Sequence, residues 1–267
     1  MGKHLTAHRQ LRFTHIYASD LQRAYMTAEE LQRNQVAQWA HQHRVPEVVR
    51  LELLREQDFG SLELVPWASK RAQQAFDNAV PGQADPDFRP KEDLGSMATR
   101  AEAFLDNFIF PLFATSTDDL LNPTNPPTQD CVAVVSHGMF LSTLWQSLLR
   151  KFPAGSVSLG PNVEVGRYPQ PLERLPSWSN TAFLELTIQR PASITPTNDS
   201  IPGPAFDEPG CPPALSGHHM MVHVANSREH LVGLNRARGG LGSSPFDPRQ
   251  RSLLGFFNNP EGNKLGR

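Results

Sequence analysis

The stretch "CVAVVSHGMFLSTLWQSLLRKF", which begins at Cys131, constrains the fold more than any other part of the chain. Its first five residues, Cys131 to Val135, are apolar and mostly β-branched, which predicts a strand buried on both faces. A helical pattern begins at Met139, so only Ser136-His137-Gly138 separates the two elements. A strand that runs directly into a helix is typical of α/β folds, whose ligands bind at the carboxyl ends of the strands.

The same order of elements recurs earlier in the chain. The segment "FTHIYA" from Phe13 predicts a strand, and the apolar residues from Leu21 onward recur at helical spacing. Further strands are predicted in "PEVVRLELL", "NTAFLELTIQ" and "MMVHVAN", and a further helix runs from Ser96 to Phe113. Strands that alternate with helices predict an α/β fold, a three-layer sandwich with a mostly parallel sheet flanked by helices.

Composition along the chain predicts three regions. Residues 1–190 carry the alternating strands and helices and form the α/β domain. Residues 191–217 are rich in proline and have no periodic stretch, which indicates a disordered loop or insertion. Residues 218–267 hold one strand and a basic, glycine-rich tail.

The bulk composition excludes several classes of partner. The 267 residues carry a formal net charge of −2, which gives no electrostatic footprint for nucleic acid or for an anionic membrane surface. The two cysteines are too few for a disulfide framework, and no segment reaches the length of a membrane span. These features predict a soluble, cytoplasmic protein.

Arg23 lies one turn into the helix that follows the first predicted strand. Ser19 and Gln22 have the spacing of a capping box, which would fix the start of that helix. A guanidinium at this edge would present a planar fork of donors that suits a phosphate or a carboxylate. The alternative is a solvated arginine that pairs with a nearby glutamate.

Two more chemically capable residues follow predicted strands. His137 could donate to a phosphoryl oxygen or transfer a proton, or it could be a core histidine satisfied by backbone groups. Glu56 could serve as a general acid, or it could be a loop carboxylate paired with Arg55. Because the strands are expected to be parallel, Arg23, His137 and Glu56 would project from the same edge of the sheet.

Histidines elsewhere suggest metal ligation only superficially. Neither the pair His4 and His8 nor the group His218, His219 and His223 has carboxylate or cysteine partners at a metal-binding spacing. We therefore expect no metal site and no cofactor.

Three motifs together resemble the histidine phosphatase superfamily, also called the phosphoglycerate mutase-like family. The motifs are "SDLQRAYMTAEEL", "LLREQDFGSLE" and "VAVVSHGMFLSTL", in that order. The C-terminal tail is similar to that of fungal members. The resemblance implies a phosphoglycerate mutase-like fold and phosphomonoester hydrolysis or transfer through a phosphohistidine.

The resemblance also implies roles for the three residues. Arg23 would be a phosphate-binding arginine, His137 the second histidine of the site and also a phosphate ligand, and Glu56 the proton donor to the departing oxygen. No metal is needed, because arginines and protonated donors supply the positive charge.

The chain departs from the family pattern at its start. Members begin with a strand that ends in Arg-His-Gly and carries the nucleophilic histidine, and no such triplet precedes Arg23. We therefore expect the first strand to be missing, the domain to be N-terminally incomplete and activity to be impaired. His4, His8 and His15 are not expected to substitute, because the first two lie on a short terminal helix and the third lies inside a strand.

Three hypotheses stay open on this basis. One is a phosphatase, described by an incomplete chain. The second is a non-catalytic relative that binds a phosphorylated ligand or a protein. The third is an unrelated α/β protein in which the motifs are coincidental, which their ordered match disfavours. The expected partner is a small phosphomonoester or a phosphoprotein, with neither nucleic acid nor membrane involved. The sequence does not determine the substrate, the choice between mutase and phosphatase, or the oligomeric state.

Overall fold

The computed structural model describes residues 1–41, 44–63, 88–113, 129–161, 163, 171–175, 177–189 and 215–233. The chain divides into two compact units, Met1–His230 and Leu231–Arg267, and the sheets and helices described below belong to the first. Most of the predicted insertion and of the basic tail, residues 191–214 and 234–267, lies outside the described residues. The predicted division into three regions therefore stays a prediction.

A three-stranded parallel sheet forms the centre of the fold. Strand β1 (His15–Ser19) lies between β2 (Val48–Leu51) and β3 (Val132–Val135). Ala18 is the register partner of Arg50 on one side and of Val135 on the other, so all three strands end at one edge. The segments that follow these strands therefore meet at that edge.

Helix α1 (Gln22–Trp39) covers one face of this sheet, together with a short π-helical turn at His4–His8. Ile16 and Ala18 of β1 are fully buried against the apolar stripe of α1. That stripe has the helical spacing predicted from the sequence, and its buried members are Ala24, Ala28 and Leu31. The chain that leads into β1 is also attached to this helix, because the Gln35 side chain bonds both backbone groups of Phe13 at 2.8 and 2.6 Å.

Two helices cover the opposite face, α2 (Leu94–Phe104) and α3 (Gly138–Leu149). Tyr17 points to this side because successive strand residues alternate between faces. Its ring meets Phe104 edge-on at 5.7 Å between ring centroids, within a cluster that includes Ala101 and Phe140. A π-helical turn (Leu105–Ile109) and a 3₁₀ turn (Phe110–Phe113) continue α2 to the end of the helical segment predicted from the sequence.

A second three-stranded sheet is mixed. Its strands are β4 (Val157–Leu159), β5 (Phe183–Gln189) and β6 (His219–Ser227), in the order β4-β6-β5. Strand β6 runs parallel to β4 and antiparallel to β5. The sequence predicted β5 and β6 but not β4, because three residues are too few to show a periodic pattern.

The parallel sheet with helices on both faces confirms the predicted α/β fold. The predicted absence of a first strand stays a prediction. Across the described parts of the chain, no helix has both the length and the apolar character needed to cross a membrane.

Candidate active site

The edge where the parallel strands end collects polar side chains from three segments. Ser19 is the last residue of β1, a 3₁₀ turn (Glu52–Leu54) follows β2, and Ser136 and His137 follow β3. Ser136 Oγ donates to the carbonyl oxygen of Leu54 at 2.7 Å and so joins the segments that follow β2 and β3. The three segments form one continuous surface at the carboxyl edge of the sheet.

His137 is the most buried polar ring at this edge, with 7% of its surface exposed. Its Nδ1 accepts a hydrogen bond from Arg23 Nε at 3.0 Å, and its Nε2 lies 3.0 Å from Ser19 Oγ. Because a guanidinium can only donate, Nδ1 carries no proton. The neutral ring therefore has its proton on Nε2 and donates it to Ser19.

Burial and charge keep this imidazole neutral. Burial is the largest cause that lowers the pKa of His137, the Arg23 guanidinium lowers it further, and Asp20 opposes them, which leaves a pKa of about 4. Arg23 itself is exposed, so the remainder of its guanidinium faces solvent. The arrangement combines an exposed cation with a neutral buried ring that it orients.

Ser19 does not form the predicted capping box. The N-cap residue of α1 is Leu21, and among the residues that the structure describes no side-chain cap hydrogen bond forms there. Ser19 is fully buried, and its Oγ accepts from the Leu21 backbone N–H at 3.2 Å. The Ser19 hydroxyl oxygen instead accepts from His137 Nε2. Residue spacing near Ser19 does not reveal this contact, because His137 lies far away along the chain.

Glu56 contacts the first turn of α3, the helix that His137 precedes. Its Oε1 accepts from the backbone N–H of Phe140 and from that of Gln57, both at 3.1 Å. No bond to Oε2 is found among the residues that the structure describes. The two backbone N–H groups fix the direction of the Glu56 carboxyl group at the start of α3. The structure thus brings Arg23, His137 and Glu56 to the same edge, as the sequence predicted.

Arg55 contacts Asp20 rather than Glu56. Its Nε donates to Asp20 Oδ1 at 2.8 Å, and its Nη2 bonds both Asp20 Oδ2 and, at 3.1 Å, Glu52. The hydrogen bond from Arg55 is the main cause that lowers the pKa of Asp20. This pair joins the segment after β2 to the end of β1, and it replaces the Glu56–Arg55 pair that the sequence left open as an alternative.

The loop that follows Glu56 approaches a distant segment closely. Gly60 has a φ of +56°, and a Cβ atom at this position would overlap the carbonyl oxygens of Arg89 and Pro90. Ser61 N donates to the Arg89 carbonyl oxygen at 2.9 Å. Only glycine fits here without displacing backbone.

Several residues near the site were not singled out from the sequence. Asp20, Glu92 and Arg100 all contact the segments that carry Arg23, His137 and Glu56. The sequence gives no local signal for them, because their partners lie far away along the chain.

The histidines discussed as metal ligands lie away from this edge. His4 and His8 have ring centroids 5.8 Å apart in the N-terminal turn, and His223 Nε2 lies 2.9 Å from Thr187 Oγ1 in the second sheet. Within the described ranges, no group of three or more histidine, cysteine or acidic residues is arranged to hold a metal ion. His15 starts β1, at the opposite end from Ser19, and its ring stacks on Tyr17.

Comparison with known proteins bears on the family of the chain. The family model of the histidine phosphatase superfamily (branch 1) matches residues 3–162. No curated protein sequence shows a significant match.

Among solved structures, the chain is similar to mycobacterial glucosyl-3-phosphoglycerate phosphatase in complex with inorganic phosphate. The identity is 18% over 85% of this chain and 82% of that one, with a TM-score of 0.45. The native structure of that mycobacterial phosphatase gives 19% identity over the same shares and a TM-score of 0.44. A structure described as mycobacterial hydrolase 1 is 18% identical over 81% of this chain and 78% of that one, with a TM-score of 0.40.

Proposed function

The chain belongs to the histidine phosphatase superfamily, and we propose that its parallel-sheet edge binds the phosphoryl group of a phosphomonoester. The observation that carries this proposal is the hydrogen bond from Arg23 to a buried, neutral His137 beside the N-terminus of α3. These groups offer donors and positive charge at one place, which is what a phosphoryl group requires.

Arg23 and His137 act together as the phosphate-binding pair. The exposed part of the Arg23 guanidinium contacts phosphoryl oxygens while its Nε holds the imidazole. The Nε2–H of His137 then donates to a phosphoryl oxygen in place of Ser19 Oγ. Stabilisation of charge on the phosphoryl oxygens is the main contribution that a protein makes to phosphoryl transfer.

Glu56 is proposed as the proton donor to the departing oxygen. Its Oε1 is occupied by two backbone N–H groups, so Oε2 is the atom that would carry the proton. In the family reaction a histidine nitrogen forms a bond to phosphorus as the bond between phosphorus and the ester oxygen breaks, and that oxygen takes the proton from Glu56 as it leaves. Water then attacks the phosphohistidine, inorganic phosphate is released and a proton returns to Glu56.

Turnover by this chain is proposed to be impaired. The family reaction forms a phosphohistidine on the histidine of an Arg-His-Gly triplet, and the sequence contains no such triplet. His137 is a poor replacement, because both of its ring nitrogens are already hydrogen-bonded within the fold.

A non-catalytic role is the second candidate, and the same absence of Arg-His-Gly favours it. In this case the site binds a phosphorylated ligand or a phosphoprotein without turnover. Ligand selection is proposed to depend on residues 61–93 and on the insertion after Gln189, parts of which lie outside the described residues. We also propose that the protein is cytoplasmic, which its low cysteine content supports.

The test combines binding with turnover. Inorganic phosphate is titrated by calorimetry against the full chain, Arg23→Ala and His137→Ala, and turnover of 4-nitrophenyl phosphate is measured on the same samples. We expect each variant to weaken phosphate binding by about tenfold or more, since each removes a charged or directed hydrogen bond. The control is Arg33→Ala, which removes an exposed arginine from the same helix.

The outcomes separate the two candidates. Binding with little turnover supports an impaired enzyme or a binder, and restored turnover after addition of an N-terminal segment that carries Arg-His-Gly identifies the enzyme. Equal binding by the Arg23 variant and the Arg33 control would refute the proposed site.

A further inference from the structure

We propose that Arg100, on α2, is a positioning residue that holds Glu56 in place at the start of α3. This inference deepens the proposed function and rests on the role given there to Glu56. Arg100 lies outside the phosphate-binding pair and reaches Glu56 only through other groups. Three sets of contacts carry the inference.

The first set holds two backbone carbonyl groups of the segment that leads to Glu56, one within the 3₁₀ turn and one just after it. Arg100 Nη1 donates to the carbonyl oxygen of Leu53 at 2.8 Å and to that of Arg55 at 3.1 Å. The second of these carbonyls belongs to the peptide group that joins Arg55 to Glu56. A single guanidinium nitrogen thus fixes the direction in which the chain presents the carboxylate.

The second set fixes the guanidinium itself. Glu92 accepts from Arg100 Nε and Nη2 through its two carboxylate oxygens, both at 2.8 Å. The pair is largely withdrawn from solvent, with side chains 21% and 12% exposed. Planar, two-point recognition of this kind restrains orientation as well as distance.

Glu92 also holds the loop on the far side of Glu56. Its carbonyl oxygen accepts from Gln57 Nε2 at 2.6 Å, and its Oε2 accepts from the backbone N–H of Asp58 at 3.3 Å. The Arg100–Glu92 pair therefore restrains the chain both before and after Glu56.

The third contact reaches the hydrogen-bond donor of Glu56. Arg100 Cζ lies 4.7 Å from the centroid of the Phe140 ring, and the backbone N–H of Phe140 donates to Glu56 Oε1. A guanidinium stacked on an aromatic ring restrains both partners. One side chain thus fixes the turn that carries Glu56 and also the helix residue that Glu56 caps.

The prediction concerns amide exchange of Phe140. Hydrogen exchange is followed by NMR on the full ¹⁵N-labelled chain, comparing the native sequence with Arg100→Gln, Glu56→Ala and the double variant. We expect each single change to speed exchange at Phe140 by about tenfold, because the acceptor of this N–H is lost or displaced. The double variant should exchange no faster than the faster single one, because both changes break the same contact.

Controls distinguish positioning from general destabilisation. Arg33→Gln removes an exposed arginine of α1 and should leave Phe140 unchanged. Arg100→Lys keeps the charge but cannot make the two-point contact with Glu92, so it should restore less than half of the protection. If Arg100→Gln does not fold, Glu92→Gln supplies the same test with a milder change.

Two results would overturn the inference. One is unchanged exchange at Phe140 in a folded Arg100 variant, and the other is equal acceleration at Phe140 and at Leu144 and Trp145 deeper in α3. Inorganic phosphate titration of the same samples tests the proposed function separately. Failure of the native chain to bind phosphate would refute that function, while the exchange pattern would still decide the role of Arg100.

Discussion

Arg23 Nε donates to Nδ1 of His137 at 3.0 Å, which joins the first turn of α1 to the N-cap residue of α3. The two residues are 114 positions apart, and both follow strands of one parallel sheet. This bond decides which ring nitrogen carries the proton, because the guanidinium cannot accept one. Protonation of both ring nitrogens would remove the acceptor of this bond, so the charge state of His137 and its contact with Arg23 depend on each other.

The first prediction concerns pH. The pKa of His137 is about 4 in the folded chain, whereas the ordinary pKa of a histidine side chain is 6.5, so the unfolded chain binds the proton more readily between these values. The contribution of His137 to stability is therefore fully present above pH 6.5 and is lost as pH falls toward 4. We expect a loss of about 3 kcal/mol from this residue.

Histidine NMR titration and urea unfolding at pH 7 and 4.5 check this expectation. His137→Asn should reduce the difference in unfolding free energy between the two pH values. Titration of the His137 ring near pH 6.5 in the folded chain would contradict it.

The second prediction concerns Asp20 and Arg55. Their side chains are 24% and 34% exposed, so solvent screens the pair only in part, and we expect a coupling free energy of about 1 kcal/mol at pH 7. The lowered pKa of Asp20 means that this stabilisation is present above pH 3.8 and is lost as pH falls below that value.

A double-mutant cycle with Asp20→Asn and Arg55→Gln, followed by urea unfolding, measures the coupling. Because Asp20 raises the pKa of His137, Asp20→Asn should also lower the pKa of that ring further. Additive effects of the two changes would show that the pair contributes nothing.

The third prediction concerns Gly60. Alanine at this position would meet the carbonyl oxygens of Arg89 and Pro90 and would have to adopt a φ of +56°. We expect Gly60→Ala to destabilise the fold by more than about 1 kcal/mol, because the neighbouring groups are backbone and cannot rotate away. Thermal unfolding measures the cost. Gly155→Ala is the matched control, because its φ is also positive but its surroundings are open. Equal costs at the two positions would show that the close approach is unimportant.

The fourth prediction concerns Cys131. Burial, with smaller contributions from Glu185 and Asp130, raises the pKa of this thiol to about 11. The thiolate is the reactive form, so alkylation by iodoacetamide at pH 8 should be about a hundredfold slower than that of glutathione. The measurement uses the Cys211→Ser variant so that Cys131 is the remaining thiol. Rapid alkylation that precedes any unfolding would disprove the assigned burial.

Local patterns predicted the elements that support the site. The apolar run before Ser136 and the helical spacing after Leu21 identified β3, α3 and α1, because burial of one face imposes a period on the sequence. The same reasoning placed Arg23, His137 and Glu56 at one edge, since parallel strands end together. The family of the chain also followed from the motifs at these junctions.

The polar contacts could not be predicted in the same way. Ser19 has the spacing of a helix cap, yet His137 competes for its hydroxyl from a segment 118 positions away. Arg55 likewise pairs with Asp20, 35 positions earlier, rather than with the adjacent glutamate. Such choices depend on which side chains the finished sheet brings together, and a single sequence carries no periodic signal for them.

The side chain of Gln35 makes with Phe13 the two hydrogen bonds that a neighbouring strand would make. Its Oε1 accepts from the Phe13 N–H, and its Nε2 donates to the Phe13 C=O. The side-chain amide of Gln35 and the backbone groups of Phe13 therefore satisfy each other's hydrogen bonds in the protein interior. Neither can be buried away from water without an unsatisfied polar group unless the other is in place. Docking of α1 and alignment of the central strand should for this reason occur in one cooperative step when the polypeptide collapses.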